Sequence, residues 1–412
     1  MRLSAIGKIF GYVLAACCVI ALAAPAKADA AFQNYLASVW PDAQKLGVSR
    51  ATSDAATRNL EPDMSLPDLV VPGRPQQPSR GQAEFVQTPE EYLRESTFNR
   101  LADQGRKLLA EHRATLAKIE QQFGVPGPII LAIWGRETAF GTYKLGNDVI
   151  RVLATQAYTG RRPDYFRNQF LYALKMLQDG IPRERMRSSW GGAMGLTQLL
   201  PAEYYDFGVD LDGDGKVDIW TSVGDALASA AKQLVSKGWE RGKRWAIEVR
   251  APASMDCTLG TPDTNRTVGE WLRAGFTPAY GLKLSAAEMD ESASLLQPAG
   301  IYGPSFLTPK NYFVIKEYNT SDLYVLFVGH LADRIADARP FETPWGKVVQ
   351  LKTADVEQMQ ARLTALKLYG EKIDGKAGMR TRAALGAYQK ANGLKLDCWP
   401  TAAVLDHMRR GR

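Results

Sequence analysis

The segment Pro126-Gly127-Pro128 through Phe140 constrains this chain most strongly. Pro126 and Pro128 suit the opening of a helix, because an amide in the first turn has no partner to lose. The residues that follow, Ile129-Ile130-Leu131-Ala132-Ile133-Trp134-Gly135, continue a helix that is predicted to end at Gly141. At helical spacing, Glu137 shares a face with Ile130, Ile133 and Trp134. An acid on an apolar face is unusual. Withdrawal from water raises a carboxyl's pKa and makes it a usable general acid near neutrality. The alternative is a structural glutamate satisfied by a neighbouring arginine.

A chain of 412 residues, 45% hydrophobic and 23% charged, has the make-up of a folded protein of two to three domains. With four Cys and three His, zinc-finger and iron–sulfur chemistry have little to work with. The net charge of +7 favours a polyanionic partner. Nucleic acid is a poor candidate, since the basic residues are dispersed and no groove-reading motif is present.

Residues 1–30 read as a signal peptide: Arg2 and Lys8, an apolar run over 9–24, and the small-x-small site Ala28-Asp29-Ala30. The chain is therefore expected in the periplasm. Alternatives are a retained anchor, or lipidation at Cys17 in Leu14-Ala15-Ala16-Cys17, with membrane attachment. Removing residues 1–30 takes away Arg2, Lys8, Lys27 and Asp29 and leaves a net charge of +5. It also leaves Cys257 and Cys398, which read as two isolated thiols, a bridge between them being the alternative.

Residues 31–60 are predicted helical. Prolines 62, 67, 72, 75, 78 and 89 then predict an extended surface stretch. Leu108, Leu109, Leu116 and Ile119 give one helix a buried stripe that ends at Gly124. In Ser189-Trp190-Gly191-Gly192-Ala193-Met194-Gly195, small residues allow close backbone approach. Asp210-Leu211-Asp212-Gly213-Asp214-Gly215-Lys216-Val217-Asp218 matches the front half of a calcium loop. Oxygen-bearing positions fall on Asp210, Asp212, Asp214, the Lys216 carbonyl and Asp218. Thr221 stands where a bidentate acid is usual, and Asp225 could close a longer loop. Any bound calcium would be structural. Tyr318 and Asn319 precede a helix capped by Thr320 or Ser321. A boundary over 338–352 leads to a small three-helix unit at 350–412.

These motifs, in this order, make the chain similar to the B family of lytic murein transglycosylases, exported enzymes that cleave peptidoglycan glycan strands. Ala132-Ile133-Trp134-Gly135-Arg136-Glu137-Thr138 resembles the family's Ile-Trp-Gly-x-Glu-Ser/Thr motif. Leu153-Ala154-Thr155, Arg161-Arg162, Tyr165-Phe166 and the glycine-rich segment through Gln198 and Pro201 fit further blocks. The resemblance implies a mainly α protein: an α+β, lysozyme-like catalytic domain over 31–345 and a three-helix peptidoglycan-binding domain over 350–412. It implies that Glu137 is the single catalytic acid. It also implies that Ser189, Gln198, Arg161, Arg162, Tyr165, Tyr318, Asn319 and Tyr324 line the glycan groove. No catalytic cofactor is implied, and some members carry calcium where Asp210–Asp218 stands. Where the family usually has Gln-Phe-Met-Pro, this chain has Gln198-Leu199-Leu200-Pro201, so an aromatic wall is missing at Leu199. In the C-terminal unit, Ile373-Asp374-Gly375-Lys376-Ala377-Gly378, Thr381-Arg382-Ala383-Ala384-Leu385 and Tyr388-Gln389 carry the match, and Asp397-Cys398 replaces a later Asp-Gly.

The expected partner is the peptidoglycan glycan strand. Two other readings compete. A lysozyme-like hydrolase would need a second carboxylate, with Asp148, Glu203 and Asp206 as candidates. A non-catalytic wall-binding protein would need none.

Overall fold

The computed structural model describes residues 30–70, 83–264 and 266–411. The signal-peptide and Cys17 readings lie outside them, as do Pro72, Pro75 and Pro78. Among the described residues no helix is long and apolar enough to cross a membrane. The molecule is mainly helical and lysozyme-like, with a helical C-terminal unit.

The helix Gly127–Thr138, hereafter the acid helix, is the centre of the main core. Ile130, Leu131 and Ile133 are fully buried, each contributing about 1.5–3 kcal/mol by leaving water. Helices Glu95–Glu111, Val223–Ser236 and Asp322–Ile335 pack around it. The last of these is called the tyrosine helix below. The single helix expected across Leu108–Ile119 is two, Glu95–Glu111 and Arg113–Phe123, broken at His112. The apolar stripe keeps its phase through the break, so spacing alone could not reveal it. The His112 ring lies 6.3 Å from that of Trp134, where the chain bends around the acid helix.

A second core joins helices Ala30–Lys45, Arg50–Thr57, Val149–Thr159 and Pro163–Gln178. Met194, Leu199 and Ile219 belong to it, so the glycine-rich segment rests on this core while its other side faces the acid helix. The third core backs an antiparallel five-stranded sheet. Its strands run in the order Arg266–Thr267, Ser292–Leu296, Ser305–Thr308, Ile247–Arg250, Thr277–Pro278. Leu295 and Leu307 stand opposite each other in the register and are both fully buried.

The C-terminal unit has helices Thr353–Ala365, Met379–Ala391 and Ala402–Arg410 around Met359, Leu363, Leu385 and Leu405. The reading of Cys257 and Cys398 as isolated thiols is overturned. They form a disulfide across 141 residues, with Cα atoms 6.1 Å apart. Sequence distance concealed this because the C-terminal unit docks against the sheet-bearing part of the chain. Lys390 pairs with Asp256 at 2.7 Å, the Tyr302 hydroxyl donates to Asp397 at 2.8 Å, and Arg380 pairs with Asp263. The 336–352 connection lies along the surface, where Glu248 accepts amide bonds from Glu342 and Thr343 at 3.0 and 2.9 Å.

Thiol titration of a denatured, unreduced chain starting at residue 31 should therefore find no free thiol, and two after reduction. Two thiols before reduction would contradict the bridge. Cys398→Ser should lower stability by about 2–4 kcal/mol in a melt followed by circular dichroism.

Candidate active site

The acid helix ends abruptly. Ala139, Phe140 and Gly141 follow with φ of 47°, 57° and 79°, all in the left-handed region. Two consecutive non-glycine residues there cost about 1–3 kcal/mol each, which surrounding contacts must offset. The turn throws the Phe140 ring back onto Gly135, where a Cβ would lie 2.7 Å from it. Thr138 Oγ1 donates to the Leu196 carbonyl at 2.7 Å and accepts from the Gly141 amide at 3.1 Å. The helix end is thus stapled to the glycine-rich segment one residue from Glu137.

That segment folds into a tight double turn. The Ser189 amide donates to the Ala193 carbonyl, and Ser189 Oγ accepts from the Gly191 and Ala193 amides at 3.3 and 3.2 Å. Gly195 has φ of 74°, and a Cβ there would meet the Ile219 carbonyl at 2.6 Å. Gln198 also has positive φ, 59°, and its Nε2 donates to the Gly195 carbonyl at 3.0 Å. Leu199 is fully buried in the second core. The position where the family pattern has an aromatic is therefore a core position here and no part of a groove wall.

Tyr318 and Tyr324 close the cluster. The Tyr324 hydroxyl donates to Glu137 Oε1 at 2.5 Å. The Tyr318 ring stacks on Tyr324 at 6.4 Å and 9°, and its hydroxyl donates to the Thr197 carbonyl at 2.7 Å. Ser321, not Thr320, caps the tyrosine helix, accepting from the Leu323 and Tyr324 amides. Asn319 Nδ2 donates to Glu84 at 3.0 Å. Burial pushes both tyrosine hydroxyls well above their ordinary pKa, so they remain donors.

Glu137 is half-buried: it keeps a solvent-facing edge while protein packs around the rest. Burial raises its pKa above the ordinary 4.5, the Tyr324 bond and the Arg136 charge pull it back, and Glu84 pushes it up. The structural alternative, a glutamate satisfied by arginine, is not what forms. Arg136 directs its guanidinium to the Tyr92 hydroxyl at 2.7 and 2.9 Å and towards Glu84 at 3.9 Å. Sequence reasoning missed Tyr92 and Glu84. Glu84 follows a proline-rich stretch far from every motif, and only the fold brings it to Arg136.

Arg161, Arg162 and Tyr165 form a separate exposed rim. Arg161 lies 3.8 Å from Asp68, and Arg162 stacks over Tyr165 and Phe166 at 4.8 and 5.2 Å. Their described contacts do not reach Glu137. The hydrolase candidates have other employment. Asp148 caps Val149–Thr159 and holds Arg183 at 2.6 Å. Glu203 accepts from the Leu200 amide at 2.9 Å, with its pKa raised by burial, and Asp206 is exposed.

In the acidic loop, carboxylate oxygens of Asp210, Asp212 and Asp214 lie within 4.8 Å of one another. Asp210 accepts from the amides of Gly213, Asp214 and Gly215. The Lys216 amide bonds Asp214 at 2.8 Å. Asp218 accepts from the Trp220 and Thr221 amides, both at 2.9 Å. Asp225, nearly fully buried, accepts from the Leu211 and Asp218 amides at 3.0 and 2.9 Å and so braces the loop from behind. Three converging carboxylates suit a hard dication.

Residues 31–333 match the transglycosylase SLT domain family. The chain belongs to that family. Residues 352–408 of this SLT-family chain match the putative peptidoglycan binding domain. The chain is 30% identical over 235 residues to membrane-bound lytic murein transglycosylase B of Escherichia coli K12, covering 56% of this chain and 62% of that relative's length. It is similar to the crystal structure of SltB3 from Pseudomonas aeruginosa in complex with NAG-NAM-pentapeptide. That match has 36% identity and a TM-score of 0.81, over 92% of this chain and 99% of SltB3. It is also similar to Escherichia coli Slt35 in complex with calcium, with 27% identity and a TM-score of 0.51, over 61% of this chain and 78% of that one.

The raised pKa of Glu137 carries a stability signature that needs no substrate. Above pH 4.5 the unfolded chain releases this proton more readily than the folded one, so stability falls as pH rises towards the folded pKa. Glu137→Gln removes that loss. The melting temperature of Glu137→Gln should exceed that of wild type at pH 7, and the gap should shrink towards pH 4. A gap independent of pH would refute the shift.

Proposed function

We propose that this SLT-family chain is a peptidoglycan lytic transglycosylase. It cleaves the β-1,4 bond between N-acetylmuramoyl and N-acetylglucosaminyl residues without consuming water. The observation that carries this reading is the half-buried carboxyl of Glu137, with raised pKa and a hydrogen bond from Tyr324.

Glu137 begins protonated and gives its proton to the glycosidic oxygen as the C1–O bond breaks. The N-acetyl group of the muramoyl residue supports the electron-poor C1, taking the part of a second carboxylate. Glu137, now charged and held by Tyr324, accepts the proton of the muramoyl C6 hydroxyl as O6 bonds to C1. The product is a 1,6-anhydromuramoyl end. The attack is intramolecular, so its effective concentration is high. No cofactor takes part.

Ser189 and Gln198 sit on the segment stapled to the acid helix and would hold the acetamido group or the sugar hydroxyls. Tyr318, whose hydroxyl bonds Thr197 of that segment, would line the same side, and Asn319, bonded to Glu84, would meet the strand nearby. The exposed Arg161, Arg162 and Tyr165 would meet the strand and its carboxylates farther out. SltB3 has been solved with NAG-anhNAM-pentapeptide as well as with the unmodified saccharide, which supports the anhydro product. The domain limits proposed are 31–345 for catalysis and 350–412 for wall binding. Residues 1–30 would export the chain to the periplasm, where its substrate lies.

Asp210, Asp212 and Asp214, with the Lys216 carbonyl and Asp218 next in the loop and Asp225 bracing it, would hold a calcium ion that stiffens this loop. The calcium complex of Slt35 supports this.

Mass spectrometry of products from purified sacculi tests the chemistry. Wild type should release muropeptides lighter by one water than hydrolytic ones, and Glu137→Gln should lose about 10²–10⁴-fold in rate. Products of full hydrolytic mass would establish the hydrolase. Binding without release by either protein would establish a wall-binding protein. For the loop, calcium at about a hundredfold excess over Kd should add about 2.7 kcal/mol to stability. Asp210→Asn should abolish that gain. No calcium-dependent shift in wild type would remove the metal site.

A further inference from the structure

The C-terminal unit reaches the site through one buried ion pair. Arg382, on the helix Met379–Ala391, directs Nη2 to Asp322 Oδ2 at 3.0 Å, and their side chains are 9% and 7% exposed. Arg382 Nη1 also donates to the Ala377 carbonyl at 2.5 Å, so the guanidinium is held from both sides. Asp322 is the first residue of the tyrosine helix. Its Oδ1 accepts from the Tyr312 hydroxyl at 2.8 Å and from Lys316 at 2.5 Å. Burial acts to raise the Asp322 pKa, but Lys316 and Arg382 override it and hold the carboxyl well below the usual range. Two residues on, Tyr324 bonds Glu137, and three residues back, Asn319 bonds Glu84. A cavity of about 320 Å³ lies along this junction, reached by Glu84, Ser321, Asp322, Arg380 and Arg382. One turn along the same helix, the Cys257–Cys398 bridge lies against Gly386 and fastens the unit.

We propose that Arg382 is a positioning residue for the reaction: its buried pair with Asp322 lets the C-terminal unit hold the first turn of the tyrosine helix, and with it the Tyr324 hydroxyl, against Glu137. The inference rests on Glu137 being the acid. Losing Arg382 leaves Asp322 buried with one cation where it had two, and the turn that carries it must readjust. Asp322 keeps Lys316, so the helix survives while its first turn shifts. The groups facing Glu137 are Tyr324, Tyr318, Tyr92, Arg136 and Glu84. Only Tyr318 and Tyr324 lie on or beside that turn. The Tyr324 bond favours the charged carboxylate, so loosening it raises the Glu137 pKa further. A tether would act otherwise. It would change how well the enzyme holds a sacculus and leave the chemistry of a soluble strand alone.

The test uses the full-length protein on soluble uncrosslinked glycan strands and on sacculi. Arg382→Ala, Arg382→Lys, Asp322→Asn and Glu137→Gln are compared. On soluble strands Arg382→Ala should lower kcat by up to about a hundredfold with little change in KM. It should also move the alkaline limb of the pH–rate profile upward. Arg382→Lys, which keeps a cation beside Asp322, should recover most of the loss. If Arg382→Ala fails to fold, Asp322→Asn is read by the same limb. A limb that stays in place, with losses confined to sacculi, overturns the proposal and leaves the unit a tether. Activity retained by Glu137→Gln overturns the acid assignment and this proposal together. An inactive Glu137→Gln beside an unmoved limb overturns this proposal alone.

Discussion

Raising the pKa of one carboxyl requires that protein surround it, and much of this structure is packed around Glu137. Glu137 is carried into the main core by a helix whose other faces are isoleucine, leucine and tryptophan. A carboxyl in such a place raises its own pKa, and a tyrosine hydroxyl is a partner that moderates the shift without adding charge. An arginine pointed at the same oxygen would ionise it. Arg136 gives its hydrogen bonds to Tyr92 and leans towards Glu84. The left-handed turn after Thr138, and the Thr138 staple to Leu196, bring the glycine-rich segment to the same spot.

What the sequence disclosed and what it hid divide along physical lines. Glu137 was legible because a charge on an apolar helical face breaks a local pattern. Tyr318, Tyr324 and Gln198 came from family blocks; Tyr324 bonds Glu137 and Tyr318 stacks on Tyr324, whereas Gln198 bonds the Gly195 carbonyl of its own segment. Local pattern said nothing of Glu84 or Tyr92, because neither lies in a motif and both act through tertiary approach. The break at His112 was invisible because the apolar phase runs straight through it. The reading of the cysteines failed for a similar reason. Pairing two residues 141 apart requires knowing which surfaces dock, and docking here depends on scattered pairs such as Lys390–Asp256.

The C-terminal unit has its own small core, yet its surface is committed to the rest of the chain. Disulfide, buried ion pair and surface bonds together fasten it. A wall-binding unit on a loose linker would raise the local concentration of substrate by tethering alone. A fixed one also sets the angle at which a strand held by that unit arrives at the Glu137 cluster.

The bridge between Cys257 and Cys398 also makes a closed covalent ring of the chain between them. Tyr318, Asp322, Tyr324, the 336–352 connection and two of the three C-terminal helices lie inside it, whereas Glu137 and the glycine-rich segment lie outside. Val349, in the connection, is 77% exposed and open to attack by a protease. A single cut there opens the ring but releases nothing. The two pieces stay one molecule, and a nicked chain keeps its binding unit attached to its catalytic one until a reductant arrives.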